Sequence, residues 1–146
     1  MKKQKFVFLE HMADIKFKAF GSTLEEVFEN SALAFSRYVS ANENLKPKKI
    51  VSIKIDTIDN ESLLYSFLDE LLYFMDAKDL IIISAKVKIK DSVDKKKKKL
   101  KAKLSCASTK NLHLNHVKAA TYSEMYVRKV KFGSEEAWEA QVVLDV

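Results

Sequence analysis

The sequence predicts an α+β fold: a two-layer sandwich in which two helices pack on one face of a mixed or largely antiparallel β-sheet, with a lysine-rich β-hairpin. Two long segments carry apolar residues at helical spacing, and several shorter segments alternate apolar with polar residues, as half-buried strands do. Their order is β-β-α-β-α followed by a run of strands. The 146 residues, of which 47% are hydrophobic, suffice for an ordinary core, so residues 1–146 are expected to form a single domain.

The chain begins with two predicted strands and a helix. Residues 6–9 are apolar, and residues 16–20 alternate polar and apolar side chains. Gly21 then interrupts the strand pattern, and Ser22 with Glu25 three positions later predicts a capping box at the start of a helix. The apolar stripe of this helix consists of Leu24, Val27, Phe28, Ala32, Phe35, Tyr38 and Val39.

A third strand and a second helix follow Pro47. Residues 51–56 alternate apolar and polar side chains, and Asp59 with Asn60 predicts a turn and a helix cap. The helix is expected over residues 61–76, and both helices are expected to lie on the same sheet. Its apolar stripe consists of Leu64, Phe67, Leu68, Leu71, Leu72 and Met75.

The lysine-rich hairpin is predicted from two alternating segments that enclose a polar turn. Val87 and Ile89 alternate with lysines in the first segment, and Leu100, Ala102 and Leu104 do so in the second. Residues 91–98 form the expected turn, and ten lysines fall between positions 86 and 103. Residues 118–132 and 137–146 are expected to be β-rich, with a turn at 133–136.

Composition excludes several classes of protein. Two glycines and one proline cannot build a Gly-rich phosphate-binding loop. Cys106 is alone, which excludes a disulfide framework and fits a reduced, cytoplasmic setting. The apolar residues after the basic N-terminus are too few for a signal peptide or a membrane span, so no membrane partner is expected. No serine lies in a nucleophile motif, and His113 and His116 lack metal-binding neighbours, so no catalytic residue is predicted.

Asp14 and Asp145 are the strongest candidates for chemistry. Each stands among apolar residues at a predicted strand end, where a carboxylate must be solvated, hydrogen-bonded or bound to a cation. Asp145 precedes Val146, whose terminal carboxylate would add a second anionic group. A divalent cation, Ca²⁺ or Mg²⁺/Mn²⁺, binds such oxygen ligands. There are two alternatives to a cation: Asp14 caps a turn, or a lysine pairs with the carboxylates. His11, three residues before Asp14, is placed to orient that carboxylate.

The charge of the chain supports a second hypothesis. Twenty-six Lys and Arg against twenty Asp and Glu give a net charge of +6, which attracts polyanions. An RNA-binding module that uses the lysine-rich hairpin is therefore the alternative function, although the hairpin lacks aromatic side chains for base stacking. A solvated strand face that resists edge pairing explains the same lysines. The residues predicted to contact RNA or a partner are Lys95, Lys96, Lys97, Lys98 and Lys99.

Five blocks of sequence, spread in order over most of the chain, resemble the archease family. The most specific feature is the His-x-Ala-Asp start combined with an aspartate one residue from the end. Met12 stands where the family usually has threonine, Ser123 stands where it usually has histidine, and His113 does not match the family's loop histidine. The blocks are HMADI at 11–15, GSTLEEVF at 21–28, ESLL with FLDELL at 61–64 and 67–72, VKAATY at 117–122 and VLDV at 143–146.

The resemblance implies an accessory role. Archeases assist the GTP-dependent, RtcB-type RNA-splicing ligase: they promote guanylylation of its active-site histidine and allow multiple turnover in tRNA splicing and RNA repair, without being ligases themselves. By position, Asp14 and Asp145 match the family's metal-binding carboxylates, and Val146 matches the neighbour that contributes a main-chain oxygen. The resemblance therefore implies a non-enzymatic protein with a bound divalent cation, a ligase partner and a weak or indirect contact with tRNA.

Overall fold

The computed structural model describes residues 4–146, which form two α-helices and eight β-strands. The predicted helices and strands are present in the predicted order, so the α+β class is confirmed. The elements are β1 (Phe6–Leu9), β2 (Ile15–Gly21), α1 (Leu24–Ser40), β3 (Lys49–Thr57), α2 (Asn60–Lys78), β4 (Leu80–Asp91), β5 (Lys98–Ser108), β6 (Ala119–Ala120), β7 (Tyr126–Phe132) and β8 (Glu135–Asp145).

The strands form two antiparallel sheets rather than one. The larger sheet has the order β1-β2-β8-β6, with β7 also paired to β8, and the smaller sheet has the order β3-β5-β4. The sheets are separate because β2 pairs with the distant β8 whereas β3 pairs with β5, so the two sheets share no strand within residues 4–146. Each helix contacts strands of both sheets, where the sequence analysis expected the helices to share one.

Capping side chains define where both helices begin. Thr23 caps α1, since its Oγ1 accepts a hydrogen bond from the Glu26 backbone N–H at 3.1 Å. The predicted capping box therefore started one residue too early, and Ser22 donates to the Glu26 carboxylate instead. Asp59 caps α2 in a capping box with Ser62, at the predicted position.

In the described part of the chain, neither helix is long and apolar enough to cross a membrane.

The hydrophobic core lies between the helices and the inner faces of the sheets. Phe17 of β2 and Leu104 of β5 are fully buried against it, as are Phe28 of α1 and Phe67 of α2, whose ring centroids are 5.8 Å apart. Burying each such side chain contributes about 2–3 kcal/mol. Because side chains alternate across each strand, the opposite faces carry most of the charged strand residues, among them Lys16 and Lys18 of β2 and Lys101 and Lys103 of β5.

Candidate functional site

Asp14 and Asp145 come together at one end of the larger sheet. β2 begins at Ile15, β8 ends at Asp145, and the last pair in their antiparallel register is Ile15 with Leu144. Asp14 directly precedes β2 and Asp145 is the last residue of β8, so continuing this register by one step places the two residues next to each other at the sheet end. Leu144 points into the core, so Asp145 lies on the outward face of the sheet. The structure thus joins two residues from opposite ends of the sequence.

The backbone around both aspartates is firmly placed. Ala13 has a φ of 64°, in the left-handed region, which turns the chain just before β2. On the other side of β8, β6 pairs with its last residues, and the Lys118 backbone N–H donates to the Asp145 carbonyl at 2.7 Å. Val146 is partly buried and packs against the core. The main-chain oxygen predicted as the third ligand therefore follows an anchored strand.

His11 lies between Asp14 and a second acid. Its Nε2 is 2.9 Å from Oε2 of Glu124, and its Nδ1 is 3.8 Å from Oδ2 of Asp14. Nδ1 is buried and has no hydrogen-bond partner among residues 4–146. His11 is thus beside Asp14, as the spacing predicts, but at an ion-pair distance that is too long for a hydrogen bond. That His11 orients Asp14 stays a prediction.

Glu124 belongs to the same cluster, and the sequence analysis missed it. It lies in the turn before β7 with a φ of 54°, and its carboxylate accepts a hydrogen bond from Lys16 Nζ at 3.1 Å in addition to the contact with His11. The hydrogen bond from Lys16, followed by that from His11, lowers the pKa of Glu124. Its carbonyl accepts a hydrogen bond from the Gln141 side-chain amide at 2.8 Å, which ties the turn to β8.

In the described part of the chain, no lysine or arginine cancels the charge of the two aspartates. Lys16, on the same outward face, forms an ion pair with Glu124 rather than with Asp14 or Asp145. Within residues 4–146, no lysine or arginine nitrogen lies within 4.0 Å of either aspartate carboxylate. The Asp14 side chain is 33% exposed, so solvent screens it incompletely. Two carboxylates in this setting favour a bound cation.

The side chains alone do not form a complete metal site. In the part of the chain that the structure describes, no group of three or more His, Cys, Asp or Glu side chains is arranged to hold a metal ion. The predicted ligand set combines only two carboxylates with a main-chain oxygen, and sites for hard cations commonly complete their shell with water. Metal binding by Asp14, Asp145 and Val146 therefore stays a prediction.

A polar network continues from this end along the outward face of β8. The Tyr126 hydroxyl donates to the Glu139 carboxylate at 2.6 Å, while the Arg128 guanidinium lies 3.4 Å from the same carboxylate and 4.0 Å from the Tyr126 ring centroid. Burial, followed by the hydrogen bond to Glu139, raises the pKa of Tyr126 to about 12. The Tyr126 hydroxyl therefore stays protonated at neutral pH and donates a hydrogen bond to Glu139. These contacts join β7 to β8, the strand that carries Asp145.

The five lysines predicted as contacts do not form one surface. Residues 95–97 are exposed in the turn between β4 and β5. Lys98 forms an ion pair with Asp91 at 2.6 Å, and Lys99 points to the opposite face because side chains alternate along β5. Contact of these lysines with RNA or a partner is untested and stays a prediction.

Other residues singled out in the sequence are exposed. Met12 is 91% exposed, and His113 and His116 are exposed in the segment between β5 and β6. Two concave pockets lie elsewhere: one of about 720 Å³ between β2, α1 and the β7–β8 turn, and one of about 530 Å³ beside residues 44–48. Neither pocket is lined by Asp14 or Asp145, which are half-buried at the end of the larger sheet.

Comparisons with known proteins point to one family. The chain matches the Archease protein family over residues 6–146. The protein archease of Thermococcus kodakarensis is 36% identical over 147 residues, which cover 98% of this chain and 99% of the relative. The protein archease of Pyrococcus furiosus is 38% identical over 138 residues, which cover 94% of this chain and 95% of the relative. The solution structure of protein 1598 of Methanobacterium thermoautotrophicum matches with a TM-score of 0.76 and 30% identity, over 97% of this chain and 99% of that chain.

Proposed function

The chain belongs to the archease family, and from this premise we propose that it is a non-enzymatic protein cofactor of a GTP-dependent, RtcB-type RNA-splicing ligase. In this role it acts in the cytoplasm, promotes guanylylation of the ligase's active-site histidine and lets the ligase turn over repeatedly in tRNA splicing and RNA repair. The family blocks in the sequence support the choice of partner. The covalent chemistry belongs to the ligase, whereas this chain binds and orients.

One observation carries the proposal: the register of β2 with β8 brings Asp14 and Asp145 to the same end of the larger sheet, and among residues 4–146 neither carboxylate has a lysine or arginine partner. In the proposed site, Asp14, Asp145 and the main-chain oxygen of Val146 hold a divalent cation, Ca²⁺ or Mg²⁺/Mn²⁺. The donor set fits a hard cation because all three ligands are oxygens. When bound, such a cation supplies positive charge that offsets the charge of a triphosphate during nucleotidyl transfer.

The neighbouring side chains support this site through a chain of contacts. Lys16 holds the Glu124 carboxylate, Glu124 holds His11 Nε2, and the opposite ring nitrogen of His11 faces Asp14. In this proposal Lys16 and Glu124 hold the His11 ring, and His11 orients the Asp14 carboxylate when the cation is bound. Both aspartates are only partly buried at the end of the sheet, so a partner can reach them.

The proposal is tested by measuring guanylylation of the cognate ligase with GTP in the presence of Asp14→Asn and Asp145→Asn. Both changes keep the shape of the side chain and remove the charge that a cation needs. We expect each variant to lose stimulation by about 10–100-fold or more, since even residues that only support a metal ligand have effects of that size. Asp76→Asn, at an exposed position of α2, is the matched control and should stimulate normally.

Two further measurements separate the possible reasons for a loss. Circular dichroism shows whether each variant is folded, and calorimetric titration with Ca²⁺ and with Mn²⁺ shows whether it still binds the cation. Full stimulation by folded Asp14→Asn and Asp145→Asn would contradict the metal site. Failure of the unchanged protein to stimulate the ligase would contradict the proposed partner.

A further inference from the structure

The outward face of the smaller sheet carries a regular array of lysines. The residues that point away from the helices are even-numbered in β3 (52–56) and, after the bulge of β4, in β4 (86–90), and odd-numbered in β5 (99–103). The alternate positions pack into the core. Three rows of three residues cross the sheet, and together they contain seven lysines and one acid. The rows of this lysine face are Ser52, Lys103 and Lys86; Lys54, Lys101 and Lys88; Asp56, Lys99 and Lys90.

The positive charge of the lysine face is not neutralised within the described chain. Among residues 4–146, none of the seven lysines lies within 4.0 Å of a carboxylate oxygen. Lysines stand directly opposite each other in four places, for example Lys88 opposite Lys101 and Lys101 opposite Lys54. Opposite like charges destabilise a sheet, so folding alone does not favour this arrangement. An anionic ligand would relieve the repulsion.

The spacing of the lysines suits an extended polyanion. Neighbouring strands are about 4.8 Å apart, and residues two apart on one strand are about 6.7 Å apart, so the face offers a flat grid of charges. A single small anion would meet only part of such a grid. A chain of phosphates can contact several rows at once and release counterions at each contact.

We propose that the lysine face binds the phosphate backbone of RNA, at a site separate from the aspartate cluster. Its nine positions hold no aromatic residue and no arginine, whereas protein interfaces are enriched in both and depleted in lysine. These nine positions also hold none of the apolar side chains that enter a membrane interface; the next outward residue of β3, Ile50, is apolar and exposed. Without aromatic side chains for base stacking, the contacts are to phosphates and are independent of sequence. The choice of RNA over DNA rests on the proposed function.

This surface differs from the lysines predicted from the sequence. Only Lys99 belongs to both sets, because Lys98 points to the other face and residues 95–97 lie in the turn. The proposal therefore places the RNA contact on the sheet rather than on the turn.

The test is the binding of a fluorescently labelled RNA duplex, measured by anisotropy over a series of NaCl concentrations without any ligase. The face variant combines Lys86→Gln, Lys88→Gln, Lys101→Gln and Lys103→Gln. It should bind at least about tenfold more weakly, with the slope of log K against log salt reduced by about three to four. A control variant with Lys95, Lys96, Lys97 and Lys110 changed to Gln loses the same four charges and should bind within about twofold of the unchanged protein.

Each alternative has its own outcome. If RNA binding is weakened equally in both variants, net charge alone attracts RNA. If it is weakened more in the control variant, the contact lies on the turn. Either result would overturn the proposal. Tighter binding of a DNA duplex or of phosphatidylserine vesicles than of RNA would overturn RNA as the ligand. Asp14→Asn with Asp145→Asn should bind RNA normally, and a loss there would contradict a separate site. Because no ligase is present, these results are independent of the guanylylation test.

Discussion

Replacing Asp14 with asparagine should change stability in opposite directions with and without a divalent cation. In the metal-free protein, Asp14 and Asp145 lie at the same end of the larger sheet, and no lysine or arginine among residues 4–146 pairs with either, so the two carboxylates repel each other. Removing one charge then stabilises the fold. With the cation bound, the same substitution removes a ligand, and the variant loses the stabilisation that binding gives to the unchanged protein.

The size of the effect follows from the geometry. If the two carboxylates lie about 5 Å apart, the usual Cβ separation of opposite residues, their repulsion is about 0.8 kcal/mol in bulk water and about 3 kcal/mol at an effective dielectric constant near 20. The Asp14 side chain is 33% exposed, so a value of about 1 kcal/mol near the lower limit applies. For a chain of this size that corresponds to about 3–4 °C in Tm. A cation at one hundred times its Kd stabilises the unchanged protein by about 2.7 kcal/mol.

The assay is thermal unfolding followed by circular dichroism, in EDTA and in excess Ca²⁺ or Mn²⁺. Asp14→Asn should melt higher than the unchanged protein in EDTA and lower than it with the cation. Asp76→Asn should match the unchanged protein in both buffers. If Asp14→Asn melts lower in EDTA as well, the reasoning is refuted, because Asp14 then stabilises the turn before β2 in the absence of any metal.

Two further predictions concern the α2 cap and the lysine face. Asp59→Ala should destabilise the protein by about 1 kcal/mol, measured by urea unfolding, because it removes the α2 cap. The hydrogen bond with the Ser62 hydroxyl, followed by that from the Ser62 backbone N–H, lowers the pKa of Asp59. The stability that the ionised Asp59 carboxylate contributes is therefore present above about pH 4 and is lost as the pH falls through the folded-state pKa. Lys101→Glu, between Lys54 and Lys88, should stabilise the protein by about 0.5–1 kcal/mol at low salt, and NaCl should diminish the gain.

Matched variants check both predictions. Asp59→Asn keeps a capping side chain and should lose much less stability than Asp59→Ala; equal losses would mean that the cap is not responsible. Lys101→Gln removes repulsion without adding attraction and should fall between Lys101→Glu and the unchanged protein. No gain in either Lys101 variant would show that solvent already screens the lysine face.

The secondary structure could be predicted because it depends on local patterns. The apolar stripes of both helices and the alternation around Phe17 and Ala19 follow from which face each residue buries. The division into two sheets could not be predicted in this way, since it depends on β2 choosing β8 and β3 choosing β5 across long sequence separations. The start of α1 was missed by one residue because Ser22 and Thr23 are both good caps, and only the backbone geometry selects Thr23.

The candidate site was predictable only in part, because it also depends on strand pairing between residues that are far apart in the sequence. Asp14 and Asp145 stand out as carboxylates in apolar surroundings, but their opposition depends on the register of β2 with β8. Glu124 carries no local signal, because its side-chain partners are 108 and 113 residues away. Within the run of consecutive lysines, the sequence also does not show where the turn ends and β5 begins, so it could not be predicted that Lys98 and Lys99 point to opposite faces.

The pairing of β2 with β8 links the candidate site to the order of folding. This pair closes a loop that contains almost the whole described chain, so it has the high contact order of interactions that form slowly. The two carboxylates meet only when this long-range pairing forms. A cation held there would stabilise the most non-local pairing of the larger sheet and slow hydrogen exchange at the amides of both strands. Loss of the cation and local opening of that strand pair would then be one coupled equilibrium.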